Sequence, residues 1–201
     1  YVPFAIMSGP SGYGYKLQLI THKDSDIQKI SDLKGKNIAH VTPSSNSGNQ
    51  APRALFGKMG GTPDKDYKVN YSGKHDNSIL GVANKDYDAA PVASSVLDRM
   101  VDKGVVNRYD LRIIWESKPF PTTSYGFVNN LHPDLARKVM YAFYSFDWTG
   151  TALEKEFKAN KFNAFIPITY QDQWNDILTI QKFNGIVYSE ESLQGLKVKK
   201  K

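Results

Sequence analysis

A two-lobed α/β fold is what this sequence predicts, each lobe a sheet flanked by helices, and three observations carry it. Short apolar strands alternate with amphipathic helical stretches from Lys16 to Glu116. Two segments marked by proline and glycine, Gly9 to Tyr15 and Lys118 to Gly126, read as crossings between lobes. Beyond Trp115 the pattern changes to an extended stretch followed by two long helices. The predicted division places residues 22–117 in one lobe and residues 1–21 with 118–201 in the other.

In order, "KLQLITH" (Lys16 to His22) alternates like a strand, "DIQKISDLKG" reads as a helix closed by Gly35, and "NIAHV" is a strand again. "QAPRALFGKMGG" reads as a helix stopped at Gly60 and Gly61. "YKVNYS" is a strand, and "HDNSILGVANK" a helix with Ile79, Leu80, Val82 and Ala83 on its apolar face. "YDAAPVA" and "LRIIWES" are strands around the helix "SSVLDRMVDKG". "KPFPTTSYGFV" is extended, "HPDLARKVMYAFYSF" a helix opened by Pro133, and "TYQDQWNDILTIQKFNG" a helix ended by Gly185.

With 201 residues, 40% of them hydrophobic, the chain is able to bury a sizeable core. Its longest apolar runs, such as "LRIIW" and "FIPITY", are far short of a bilayer span, and no charged-then-apolar export signal opens it. The absence of cysteine excludes thiolate metal sites, disulfides and cysteine nucleophiles. Four dispersed histidines without an H-x-x-x-H pair argue against zinc, so neither metal nor cofactor is expected. The +6 net charge comes partly from the terminal "KVKKK", read as a solvated tail. The other lysines are scattered among acids and amides, which argues against a nucleic-acid groove.

The chemistry concentrates at strand ends. In "HVTPSSNSGNQAP", Ser45, Asn46 and Ser47 precede a helix, where unpaired backbone N–H groups favour an anion. Any one of them would serve as an ordinary N-cap, but three successive donors exceed what capping needs. One unit later, "SGKHDNSILGV" sets His75 at another helix start, either as a surface histidine or as an anion donor. Neighbouring strand ends of an open α/β sheet face one crevice, so the two starts can share a ligand. Ser45, His75 and Asp88 suggest a hydrolase triad, yet no G-x-S-x-G elbow singles out one serine, and Asp88 reads better as a strand-end positioning residue. Tyr13, Tyr15 and Tyr125 lie in the crossings and either close over a ligand or pack at the interface.

Three segments in this order, "YGYKLQLITHKDSDIQKISDLKGKNIAHVTPSSNSG", "YSGKHDNSILGVANKDYDAA" and "LRIIWESKPFPTTSYGFV", resemble the periplasmic phosphonate-binding proteins of ABC transporters, a group that includes phosphite and hypophosphite binders. The resemblance implies a type-II periplasmic-binding-protein fold that closes on an oxyanion and delivers it to a membrane permease. The protein would be periplasmic, or exported and attached to the cell surface, meeting the membrane only through the transporter or a lipid anchor. Tyr15 matches the hinge tyrosine, Ser45, Asn46 and Ser47 the family's Ser-Thr-Ser loop, and His75 the ligand histidine. Asn46 replaces the loop's threonine, and Asn49 replaces an aromatic residue often found there. Where aminophosphonate binders carry acidic residues, the matching positions are Ser95 and Thr123, which points to methylphosphonate or phosphite rather than 2-aminoethylphosphonate. Family members also begin with further β-α units, so the first lobe is expected to be incomplete in this chain.

Two other functions share these features. The same fold can serve as the ligand-sensing domain of a receptor, and Ser45 with His75 could form a small serine hydrolase.

Overall fold

The structure, a computed structural model, describes residues 1–10 and 12–186; the lysine-rich tail lies outside the described residues. Strand β1 (Val2–Gly9) is the axis of the smaller sheet, with Phe4, Ala5, Ile6 and Met7 all buried. It pairs antiparallel with β2 (Gly12–Tyr13), with β8 (Ser124–Phe127) and with β9 (Ala164–Pro167). Helix α4 (Pro133–Tyr144) covers this sheet, and Phe4, Phe143, Tyr125 and Phe165 interlock through ring pairs 4.9 to 5.1 Å apart.

The larger sheet has the order β5-β4-β6-β3-β7. Its strands are β3 (Leu17–His22), β4 (Asn37–His40), β5 (Lys68–Tyr71), β6 (Ala89–Ala93) and β7 (Leu111–Glu116). β4 runs parallel to β5 and β6, whereas β3 runs antiparallel to β6 and β7, with Leu17 opposite Ala93. The C-terminal ends of β4, β5 and β6 therefore lie along the same edge as the start of β3. Helices cover both faces. Leu19, Ile27, Leu33, Ile38 and Phe56 pack on one, and Ile20, Ile79, Val82 and Leu97 on the other, with α2 (His75–Ala83) and α3 (Ser94–Asp102) supplying much of the second layer.

Several expectations need adjustment. The helix expected at "DIQKISDLKG" is only a 3-10 turn over Ile30–Leu33. Its buried residues Ile27, Ile30 and Leu33 recur every third position, the period of a 3-10 helix, and the Asp32 carboxylate accepts from the Gln28 and Lys29 N–H groups. Residues 17–21, expected with the first lobe, form β3 of the larger sheet. The crossing falls at Tyr15 and Phe120, within the two segments expected to form it, and their backbones exchange N–H···O bonds of 3.0 and 2.7 Å. Gly14 makes this approach possible: its φ is +80°, and a Cβ there would sit 2.0 Å from the Phe120 carbonyl oxygen. The C-terminal helix α6 (Tyr170–Phe183), also expected with the first lobe, sends Ile180 into the core that holds Leu17 and Phe56. Just past it, Asn184 Nδ2 donates to the Gln50 carbonyl at 3.0 Å.

Candidate functional site

The chain leaves β4 at His40 and folds back over it through residues 41–45 before turning helical. That fold-back requires Gly48, where a Cβ would lie 2.4 Å from Val41 Cγ2 and 2.8 Å from Ser45 Oγ. The helical run opens as a π-turn over Asn46–Gln50, with the Gln50 N–H bonding the Ser45 carbonyl at 2.9 Å, and continues as α1 (Ala51–Leu55). Such wide turns leave backbone donors free and recur at binding sites.

The three loop residues take separate roles. Ser45 is the cap: its Oγ accepts from the Gly48 N–H at 3.2 Å, leaving its own O–H to donate elsewhere. Asn46 reaches the crossing strand, its Nδ2 donating to the Tyr15 hydroxyl at 3.3 Å, while its Oδ1 is buried without a hydrogen-bond partner. Ser47 is 1% exposed at the start of the turn. Capping thus accounts for one residue of the three.

The second strand end is fixed to the first through the backbone. The Ser72 and Gly73 N–H groups bond the carbonyls of His40 and Val41, each at 2.8 Å, so the turn leading into α2 lies alongside the serine loop. His75 opens α2, half-buried, and its Nδ1 accepts from the Ala93 N–H at 3.2 Å. An accepting Nδ1 places the proton on Nε2, and burial holds the imidazole below its usual pKa, with Arg99 adding to the effect and Asp76 opposing it. At neutral pH His75 is therefore a neutral ring that carries its proton on Nε2.

The next residue, Ser94, closes the ring of contacts. Its Oγ accepts from the Lys16 N–H at 3.0 Å and its N–H donates to the Lys16 carbonyl at 2.9 Å, immediately beside Tyr15. Tyr15, Ser45, Asn46, Ser47 and His75 thus stand along one edge of one sheet, with Tyr15 and Asn46 in direct contact. The sequence drew no attention to Ser94 or to His40, the buried residue under the loop; a histidine ending the apolar strand "NIAHV" was the available signal for the latter.

A cleft of about 370 Å³ adjoins this edge between α3 and the loop at Asn160 to Phe162. Tyr13, Tyr15 and Ser95 line it, together with Asp98, whose carboxyl burial and neighbouring Asp102 push upward in pKa. Thr123 is exposed and Tyr125 packs its ring on Phe143 and Phe165, and neither lines the cleft; Ser45, Asn46, Ser47 and His75 also lie outside its lining, and of the predicted ligand residues only Tyr15 reaches it. Asp88 lies at the opposite end of the sheet from His75, its carboxylate accepting from the Asn37 N–H at 2.7 Å where β4 begins. The triad of Ser45, His75 and Asp88 is therefore not assembled. Among the described residues, no group of three or more His, Asp or Glu side chains is placed to hold a metal ion, and no helix is long and apolar enough to cross a membrane.

The chain is similar to known proteins in sequence and in fold. A family model described as "ABC transporter, phosphonate, periplasmic substrate-binding protein" matches residues 1–174. The phosphonates-binding periplasmic protein of Escherichia coli is 27% identical over 184 residues, covering 86% of this chain and 54% of that protein. The phosphate-import protein PhnD of Mycolicibacterium smegmatis is 29% identical over 139 residues, covering 65% of this chain and 43% of that one. The chain thus spans about half the length of the curated relatives it matches. Among solved structures, the binding-protein component of an ABC phosphonate transporter from Pseudomonas aeruginosa superposes with a TM-score of 0.70 at 23% identity, covering 98% of this chain and 69% of that one. PhnD1 of Prochlorococcus marinus, solved in complex with methylphosphonate, gives 0.70 at 17% identity, covering 92% and 72%. These structures share the fold. With the family model spanning most of its length, this chain belongs to the periplasmic substrate-binding proteins of ABC phosphonate transporters.

Proposed function

We propose that this chain forms the anion-gripping part of an exported solute-binding protein that captures a small phosphorus oxyanion and hands it to the permease of an ABC importer. The observation that supports this most is the shared sheet edge, where the loop of Ser45, Asn46 and Ser47 and the turn that leads to a neutral His75 lie side by side, with Tyr15 in contact with Asn46. Uncharged donors at two neighbouring strand ends suit a multiply charged oxyanion, because each N–H or O–H is able to bond a different oxygen without requiring a buried counter-charge.

Capture and closure are one process in this account. The lobes are joined through paired crossing strands at Tyr15 and Phe120, so a rotation there brings the smaller sheet over the cleft. Tyr15 sits on that crossing and contacts Asn46, which couples the ligand loop to the hinge. The anion favours the closed form by the difference in its contacts between the two states, and the permease reads that form. By the family resemblance, Ser95 and Thr123 match the positions where aminophosphonate binders carry acidic residues, which favours a ligand with a small or uncharged tail, such as methylphosphonate or phosphite; Thr123 lies outside the cleft, and Asp98 is the carboxylate beside Ser95 in its lining.

Isothermal titration with phosphite, methylphosphonate, 2-aminoethylphosphonate, phosphate and sulfate tests the reading. Tight binding of phosphite or methylphosphonate and weaker binding of the aminophosphonate are expected. In a Ser47→Ala, His75→Ala double variant, losing two hydrogen bonds to a charged ligand at about 1.5–3 kcal/mol each lowers affinity by roughly 100-fold or more. A folded protein that binds none of the phosphorus oxyanions, or a double variant with unchanged affinity, contradicts it.

A further inference from the structure

Under the serine loop lies a buried polar cluster that no ligand contact explains. His40 is fully buried, with Nδ1 2.8 Å from Asn49 Oδ1 and Nε2 3.0 Å from the Tyr67 hydroxyl. Asn49 is 3% exposed, and its amide orientation follows from its other partners. Its Nδ2 donates to the Pro43 carbonyl at 2.9 Å, so Oδ1 is the atom facing His40, and Oδ1 also accepts from Arg53 Nε at 3.0 Å. An acceptor opposite Nδ1 requires the proton of His40 to be on Nδ1, which leaves Nε2 to accept from Tyr67.

The single amide of Asn49 therefore spans the loop from its entry at Pro43 to the helical turn that follows Ser47, and His40 holds that amide from below. Ser45, Asn46 and Ser47 all lie inside the span. Arg53, which braces the same oxygen, is itself anchored to Asp64 by an ion pair of 2.8 Å. We propose that His40 is a positioning residue for anion binding, which through its Nδ1–H and Asn49 locks the loop carrying Ser45, Asn46 and Ser47 in its binding geometry. This rests on the oxyanion reading above only for its functional consequence; the locking itself is a property of the loop.

The two nitrogens of His40 have different jobs, and this makes the proposal separable from a general loss of core packing. An asparagine at position 40 places its amide nitrogen where Nδ1 lies and keeps the donor to Asn49 while abandoning Tyr67. A glutamine places its amide nitrogen where Nε2 lies, keeping the reach to Tyr67 and losing the donor to Asn49. The experiment compares His40→Asn, His40→Gln and Tyr67→Phe by thermal unfolding, by amide hydrogen exchange across residues 43–50, and by titration with methylphosphonate and phosphite.

All three variants are expected to melt below the wild type, since each loses one buried hydrogen bond. Only His40→Gln is expected to lose protection at the Gly48 and Gln50 amides and to bind the anion about tenfold more weakly, the equivalent of one hydrogen bond's geometry lost at the ligand. His40→Asn and Tyr67→Phe are expected to stay within about twofold of wild type in both readouts, a rescue that a purely structural role does not produce. Equal loss of affinity and protection in His40→Asn and His40→Gln overturns the proposal, as does a folded His40→Gln protein with wild-type exchange. A wild type that binds no phosphorus oxyanion removes the oxyanion reading alone, because hydrogen exchange still decides whether His40 locks the loop.

Discussion

His40 and His75 show how one residue type serves two purposes within a single sheet. Both are held below the usual histidine range by burial. His75 spends its Nδ1 on the Ala93 N–H and carries its proton on Nε2, while His40 spends both nitrogens on the interior. Their burial has a measurable consequence for stability. The His40 pKa falls from 6.5 to about 4 on folding, so between those values the unfolded chain binds a proton that the native chain does not. Stability from this residue is complete above pH 6.5 and falls as the pH drops toward 4, by on the order of 3 kcal/mol. His75 acts in the same direction. Thermal unfolding across this range is expected to show a declining acid limb that is shallower in His40→Asn; identical limbs in the two proteins would count against the assignment. At this scale the sequence exposed the surplus of donors at Ser45, Asn46 and Ser47, because side chains adjacent in the chain declare themselves. The support under them stayed hidden, since the partners of His40 lie 9 and 27 residues away and one of them, Tyr67, enters from the segment just ahead of β5.

Elements with a strong period were legible, and those set by tertiary pairing were not. The strands at "NIAHV", "YKVNYS", "YDAAPVA" and "LRIIWES" and the helices that begin at His75, Ser94, Pro133 and Tyr170 all form where periodicity and capping place them. β1 carries no alternation because all four of its central residues are buried, and Pro3 near its start resembles a breaker rather than a strand residue beside a bulge. β9 is four residues long and runs into Pro167, and pairing with β1 alone gives it its identity. The crossing was marked by its glycines for a reason the structure supplies. A Gly14→Ala variant must move the Phe120 carbonyl or abandon a positive φ, and by either route is expected to destabilise the protein by about 1–3 kcal/mol. Circular dichroism melting checks this. An unchanged midpoint would mean that the crossing yields more readily than its close packing suggests.

For the whole molecule, alternation of strands and helices predicted the helix-covered central sheet, the crossings and the family resemblance supplied the second lobe, and the boundaries depended on contacts between distant segments. β3 joins the larger sheet because Leu17 to Thr21 pair with β6 and β7, and α6 returns from the far end of the chain to bury Ile180 against the same sheet. The functional edge emerges at this scale as well. Tyr15, the serine loop and His75 come from three separate segments, and parallel strand direction combined with the reversed β3 delivers them to one place. The central claim is that a phosphorus oxyanion is held there by uncharged donors, His75 Nε2–H among them. Its most direct test is a long-range proton–nitrogen NMR spectrum of the ¹⁵N-histidine-labelled protein, recorded while methylphosphonate is added. His75 is expected to be a neutral Nε2–H tautomer before addition, with Nε2 resonances that shift to saturation with the ligand while His40 stays neutral; a His75 ring unchanged at saturating methylphosphonate would contradict its role as a ligand donor.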